Sequence, residues 1–180
     1  MYCAEKAGVK GFVEARDLTD FKVNQIWENV QRMGLSQVNV TVWDAREYDE
    51  TLKERADVVI ADLPCSGLGV IGKKRDIKYH MSPEGMESLV GLQKEILATA
   101  VHYVKPGGVL LYSTCTIHSR ENEEMAKWVA ENFDFVLEDM TPYLPRLSNA
   151  ETAKEGYLQL FPKVHETDGF FFARLRKKQA

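Results

Sequence analysis

Asp57-Val58-Val59-Ile60-Ala61-Asp62, running on into Leu63-Pro64-Cys65-Ser66-Gly67, is the segment on which the fold turns. An apolar run between two acids, with Pro, Ser and Gly directly after it, reads as a strand that stops in a turn. Its unbroken apolar centre predicts a strand covered on both faces, as in parallel sheets. Working outward, Val109 to Tyr112 is a second strand of this kind. It follows the turn Lys105-Pro106-Gly107-Gly108 and ends at Ser113-Thr114-Cys115-Thr116. Between the two strands, Ser82-Pro83-Glu84 opens a helix with a side-chain cap and a proline in the first turn. Met86, Leu89, Gln93, Ile96, Leu97 and Ala100 carry that helix forward.

The flanks continue the alternation. Gly11 to Arg16 and Val38 to Trp43 read as strands, with Val23, Ile26, Trp27, Val30 and Met33 at helical spacing between them and Gly34 as the stop. Ser119 reads as the cap of a helix with Glu121, Glu123 and Glu124 in its first turn, where the helix dipole favours acids. Phe135 to Leu137, Leu158 to Phe161 and Gly169 to Leu175 are further extended pieces. Residues 1–180 read as one α/β domain with a mostly parallel sheet. The stretch from Leu63 to Met81 reads as a long loop rich in Gly and basic residues, and such loops are often functional.

Composition narrows the function. The chain is 44% hydrophobic with 12 Gly and 6 Pro, which suits a folded core and excludes a low-complexity chain. No apolar run approaches ~18 residues, so no membrane span is expected. Met1 to Lys6 lacks the features of a signal peptide. Three cysteines without metal-type spacing suggest reduced thiols and a cytoplasmic protein. With 23 basic and 27 acidic residues the net charge is −4, unlike a purely electrostatic nucleic-acid binder. A local basic patch remains: Lys73, Lys74, Arg75 and Lys78. A second group, Arg174, Arg176, Lys177 and Lys178, lies at the tail, and solvated surface charge is the competing reading for each.

In open parallel sheets ligands sit beyond the carboxyl ends of the strands. Asp17, Asp44, Asp62 with Cys65, and Cys115 all stand at such ends. An acid after an early strand can accept the hydroxyls of a ribose, although a helix or turn cap is the competing reading for any one of them. Cys3 reads as a small core residue. Cys65 and Cys115, each in a turn just past an apolar strand, are placed to act as nucleophiles. Zinc needs three or four ligands. With no Cys-x-x-Cys and no paired histidines, no metal site is expected.

Asp62-Leu63-Pro64-Cys65-Ser66-Gly67-Leu68-Gly69 followed by Asp76-Ile77-Lys78-Tyr79 resembles the fourth motif of the Sun-type RNA (cytosine-5) methyltransferases. Tyr112-Ser113-Thr114-Cys115-Thr116 with Glu121-Asn122-Glu123 resembles their sixth motif, and Asp168-Gly169-Phe170-Phe171 their final one. Within the family the likeness points to the bacterial 16S ribosomal RNA enzymes of the B type. Amino-group methyltransferases carry an aromatic residue where Cys65 stands. DNA cytosine-5 enzymes lack the Thr-Cys motif, so Cys115 favours RNA.

The resemblance implies a Rossmann-like class I methyltransferase sheet of order 3-2-1-4-5-7-6 with its seventh strand antiparallel. It implies S-adenosylmethionine as cofactor and ribosomal RNA as partner. Cys115 is then the nucleophile that adds to cytosine carbon 6, and Cys65 assists later steps and product release. Asp62 hydrogen-bonds the cytosine ring and borders the cofactor, Asp17 binds the cofactor's ribose and Asp44 its adenine side. Pro64, Lys73, Lys74, Arg75 and Lys78 face the RNA.

The family's Asp-x-Cys-Ala-Ala-Pro-Gly-Gly-Lys loop is absent, and Met1 to Ala7 resembles the helix that follows it. The expectation is therefore a sheet without its first strand, in which the flanking strands pair directly or a second copy fills the slot. An alternative function follows: a catalytically incompetent fragment with at most weak RNA binding or self-association through unpaired sheet edges.

Overall fold

A computed structural model describes residues 2–80, 82–144, 147 and 150–179, with the backbone alone at positions 78 and 80. Residues up to Tyr48 form one compact unit and residues from Asp49 onward another.

The first unit runs α1 (Tyr2–Ala7), β1 (Val13–Asp17), α2 (Asp20–Arg32) and β2 (Val38–Val42). β1 and β2 are parallel, in register from Val13↔Val38 to Asp17↔Val42. Thr19 caps α2 by accepting the Lys22 N–H. Gly34 ends it in the left-handed conformation at φ 64°, which a residue without Cβ adopts without strain. Cys3, expected in a core, lies exposed on α1, because Ala4 is the residue that helix buries. Trp27 on α2 and Met33 just past its end are exposed, and the helix buries Val30.

The second unit runs β3 (Ala56–Asp62), α3 (Ile77–His80), α4 (Pro83–Ala100), β4 (Val104–Thr114), α5 (Glu123–Asn132), β5 (Phe135–Leu137), β6 (Tyr157–Leu160), α6 (Pro162–His165) and β7 (Phe170–Lys177). Its sheet has the order β3-β4-β7-β5, with β6 also on β7. β3 and β4 are parallel, and β7 is antiparallel to each of its neighbours. In the expected order these are strands 4-5-7-6, and β2-β1 are strands 3-2. Among the described residues each unit has its own sheet, with β1 paired to β2 in the first and β3 to β4 in the second.

Ser82 caps α4 by accepting the Gly85 N–H at 3.1 Å, as its sequence predicts. α4 and α5 bury the face of the sheet that carries Ala61, Leu110, Tyr112, Phe171, Ala173 and Leu175. Each large side chain so buried contributes roughly 1.5–3 kcal/mol. The opposite face of β3 is a correction: Val58 is 50% and Ile60 54% exposed, so β3 is covered on one face only. Alternation along a strand sends Val59 and Ala61 to the helices and their neighbours the other way. β4 also takes in the predicted turn at Lys105–Gly108. The register passes from Ala56↔Val104 to Val58↔Val109, and Gly107 at φ 74° absorbs the irregularity. The long loop holds a 3-10 turn at Leu68–Val70 as well as α3.

Candidate active site

Parallel pairing of β3 with β4 brings their carboxyl ends side by side. Asp62 is the partner of Ser113, and the Ser113 hydroxyl donates to its carboxylate at 2.9 Å. The ladder continues one step as Leu63 N–H donates to the Ser113 carbonyl. Both chains then turn, and the sulfurs of Cys65 and Cys115 meet at 3.4 Å. Burial, and next the Cys115 sulfur, push the Cys65 thiol up to about 12, so Cys65 keeps its proton at neutral pH.

A buried polar network holds both turns. The hydroxyls of Ser66 and Thr116, each the residue after a cysteine, are 2.7 Å apart. The Glu121 carboxylate accepts from Ser66 N–H at 2.8 Å and from the Gln93 amide at 3.1 Å, while that amide also donates to the Pro64 carbonyl at 2.9 Å. Asn122 accepts from the Thr114 hydroxyl at 2.5 Å and donates to the Thr116 carbonyl at 3.0 Å. The Tyr112 hydroxyl donates to the Glu121 carbonyl, and burial raises its pKa.

Glu121 corrects the sequence reading. Ser119–Glu121 is a 3-10 turn and α5 starts two residues later, so Glu121 faces the interior, fully buried, and not a helix N-terminus. Ser119 caps nothing; its hydroxyl donates to Glu124. Besides the motif that carries Glu121 and Asn122, Gln93, a polar residue on the apolar stripe of α4, is a sequence signal for this network.

The final motif closes on the same place. Gly69 N–H donates to the Cys115 carbonyl at 3.1 Å, and Gly169 N–H donates to the Gly69 carbonyl at 2.8 Å. Lys73 pairs with Asp168 at 2.5 Å. Pro64, Lys74 and Arg75 are exposed; the side chain of Lys78 lies outside the described residues.

Asp17 and Asp44 belong to the other unit, at the carboxyl ends of β1 and β2. Asp17 accepts from the Thr19 N–H at 3.2 Å and lies 3.6 Å from the Lys22 ammonium. Asp44 is held by the Arg46 guanidinium at 2.6 Å, and hydrogen bonds from Arg46 lower its carboxyl to about 2. Among the described residues no group of three or more His, Cys, Asp or Glu could hold a metal ion, and no helix is long and apolar enough to cross a membrane.

The family model described as 16S rRNA methyltransferase RsmB/F matches residues 1–176. Ribosomal RNA small subunit methyltransferase F of Escherichia coli O9:H4 (strain HS) is 35% identical over 98% of this chain and 37% of its own length. The sequence reading leaned to the B type, whereas this relative is of the F type, and the family model spans both. NSun6 from Pyrococcus horikoshii, solved with SFG, is 27% identical with a TM-score of 0.76, over 95% of this chain and 42% of its own. A methyltransferase homolog protein of the same organism is 30% identical with a TM-score of 0.73, over 93% of this chain and 53% of its own. The fold is thus the Rossmann-like one of S-adenosylmethionine-dependent methyltransferases. The chain spans 37% of the length of the curated relatives it matches.

Proposed function

Because the chain belongs to the 16S rRNA methyltransferase RsmB/F family, we propose that it works on small-subunit ribosomal RNA in the cytoplasm, methylating carbon 5 of a cytosine through a cysteine adduct. The observation that carries this reading is the 3.4 Å contact between the Cys65 and Cys115 sulfurs at the ends of adjacent parallel strands.

Carbon 5 of cytosine is too weak a nucleophile to take a methyl group unaided. The Cys115 thiolate forms a bond to carbon 6, and the electron pair released makes carbon 5 enamine-like. Asp62, oriented by Ser113 at 2.9 Å, hydrogen-bonds the ring and stabilises this adduct. S-adenosylmethionine, when bound, supplies the electrophilic methyl group. The placement of Asp17 and Asp44 at parallel-strand ends fits it: Asp17 would hold its ribose and Asp44 its adenine side. Once a base takes the carbon 5 proton, the pair left by that C–H bond restores the ring double bond, and the sulfur–carbon 6 bond breaks with its own pair leaving on the Cys115 sulfur. Cys65, which keeps its proton, is a donor to the departing sulfur 3.4 Å away. Pro64 lines the base pocket, and Lys73, Lys74, Arg75 and Lys78 take the phosphates of an RNA whose target base is unstacked.

The test is a mass-spectrometric map of modified cytosines in small-subunit RNA with and without the gene. Loss of one 5-methylcytosine is expected. An unchanged map, or loss of a methyl group from the exocyclic amine, would overturn the reading.

A further inference from the structure

Glu121 is a carboxylate with no solvent exposure, and no role in the reaction just described accounts for it. Burying such a charge is costly unless its bonds are good. One of its oxygens takes two of them, from Ser66 N–H and the Gln93 amide. Together with the bond from Gln93 to the Pro64 carbonyl, they hold both residues that flank Cys65. The adjacent residue, Asn122, holds both residues that flank Cys115, through the Thr114 hydroxyl and the Thr116 carbonyl. One peptide unit therefore ties the two cysteine turns to each other. The other Glu121 oxygen lies 3.4 Å from His118 Nδ1.

We infer that Glu121 is a positioning residue that sets the distance between the Cys65 and Cys115 sulfurs by locking the Cys65 turn onto the segment that carries Asn122. The inference rests on the proposed function for its catalytic consequence, but the distance itself is read without RNA. A carboxylate oxygen suits the task because it accepts two hydrogen bonds at once from different segments, here the Cys65 turn and α4. Glutamine keeps an oxygen able to do the same, whereas alanine leaves the Ser66 N–H without its partner.

Glu121→Ala and Glu121→Gln are compared with the unaltered protein in two measurements. In the first, folded protein is treated with diamide. Its azo bond takes up the two thiol hydrogens as the disulfide forms, and the Cys65–Cys115 peptide is followed by mass spectrometry. In the second, RNA carrying 5-fluorocytidine, which lacks the carbon 5 proton that elimination requires, traps the protein–RNA adduct on denaturing gels. For Glu121→Ala the disulfide rate is expected to fall about 10-fold and the adduct rate about 100-fold, since small misplacements of reacting groups cost that much. KM for RNA stays unchanged, and Glu121→Gln recovers most of both losses. Equal disulfide rates in all three proteins, each melting cooperatively, would overturn the inference. So would an unaltered protein that forms no Cys65–Cys115 disulfide. Should Glu121→Ala fail to fold, Gln93→Leu, which removes the shared amide, is read in the same way, and an unchanged disulfide rate there overturns the inference. If the unaltered protein fails to methylate RNA, the proposed function falls, while the disulfide rates still decide the role of Glu121.

Discussion

Gly69 gives its backbone N–H to the carbonyl of Cys115 and its own carbonyl to the N–H of Gly169, so residues far apart in sequence close on one point. The Pro-Cys turn, the Thr-Cys turn and the final Asp-Gly-Phe segment are thereby fixed by backbone atoms, whose partners do not depend on side-chain rotamers.

This contact leaves no room for a side chain. A Cβ at Gly69 would meet the Gly169 carbonyl oxygen at 2.2 Å and the Cys115 oxygen at 2.8 Å, both backbone atoms that cannot swing aside. Gly69→Ala is expected to destabilise the fold by about 1–3 kcal/mol, the usual cost of overpacking. Urea unfolding reads this as a lower midpoint at constant slope. A midpoint equal to that of the unaltered protein would show that the three segments separate freely.

The Cys65 thiol carries a pH signature. Its folded value, about 12, lies above the reference value of 9.0, so the folded chain holds a proton that the unfolded chain releases. Its contribution to stability is therefore full below about pH 9 and is lost as pH rises toward 12. Iodoacetamide labelling of Cys65 in the folded protein should stay far slower from about pH 7 to 9 than in urea, where it behaves as an ordinary thiol. Equal labelling of the folded and unfolded chains at pH 9 would contradict this.

Much of this site is legible along the chain because it depends on local rules. Two apolar strands that each end in a cysteine turn, pairing in parallel, bring Cys65 and Cys115 together, and Ser82-Pro83 opens α4 where it should. Glu121 is different. Its partner Ser66 lies in another turn, and the local pattern of acids before a helix points to a dipole interaction instead. The exposure of Val58 and Ile60 escapes the sequence for a related reason: an apolar run states what a strand could bury, whereas burial depends on what packs over it. Pro106-Gly107-Gly108 reads as a turn by composition, yet the ladder on either side carries it as an irregularity within β4.

Lys73 offers a test of the RNA-facing loop. Its pair with Asp168 is exposed on both sides, 73% and 40%, and such pairs add about 0–1 kcal/mol. Lys73→Ala should therefore leave the melting temperature nearly unchanged. If Lys73 exchanges Asp168 for a phosphate when RNA binds, the slope of log affinity against log salt should become shallower by about 0.7–0.9. Filter-binding titrations across several salt concentrations measure it, and an unchanged slope would remove Lys73 from the RNA contacts.

The two sulfurs, alike in place, should part in function. Cys115 ends the strand whose turn is fixed by Asn122 and Gly69, while Cys65 keeps its proton through neutral pH. A sulfur that holds its proton is a poor nucleophile, and at 3.4 Å it stands within hydrogen-bonding reach of the sulfur that leaves carbon 6. Cys115→Ala should therefore reduce methylation to background and form no covalent complex with RNA. Cys65→Ala should still add to carbon 6 but release slowly, by about 10²–10⁴-fold if the lost group acts as a general acid. The protein–RNA complex then accumulates on denaturing gels with labelled RNA. A complex trapped by Cys115→Ala and not by Cys65→Ala would exchange the two roles. Absence of a complex from both variants, with methylation persisting, would remove the cysteine adduct from the mechanism altogether.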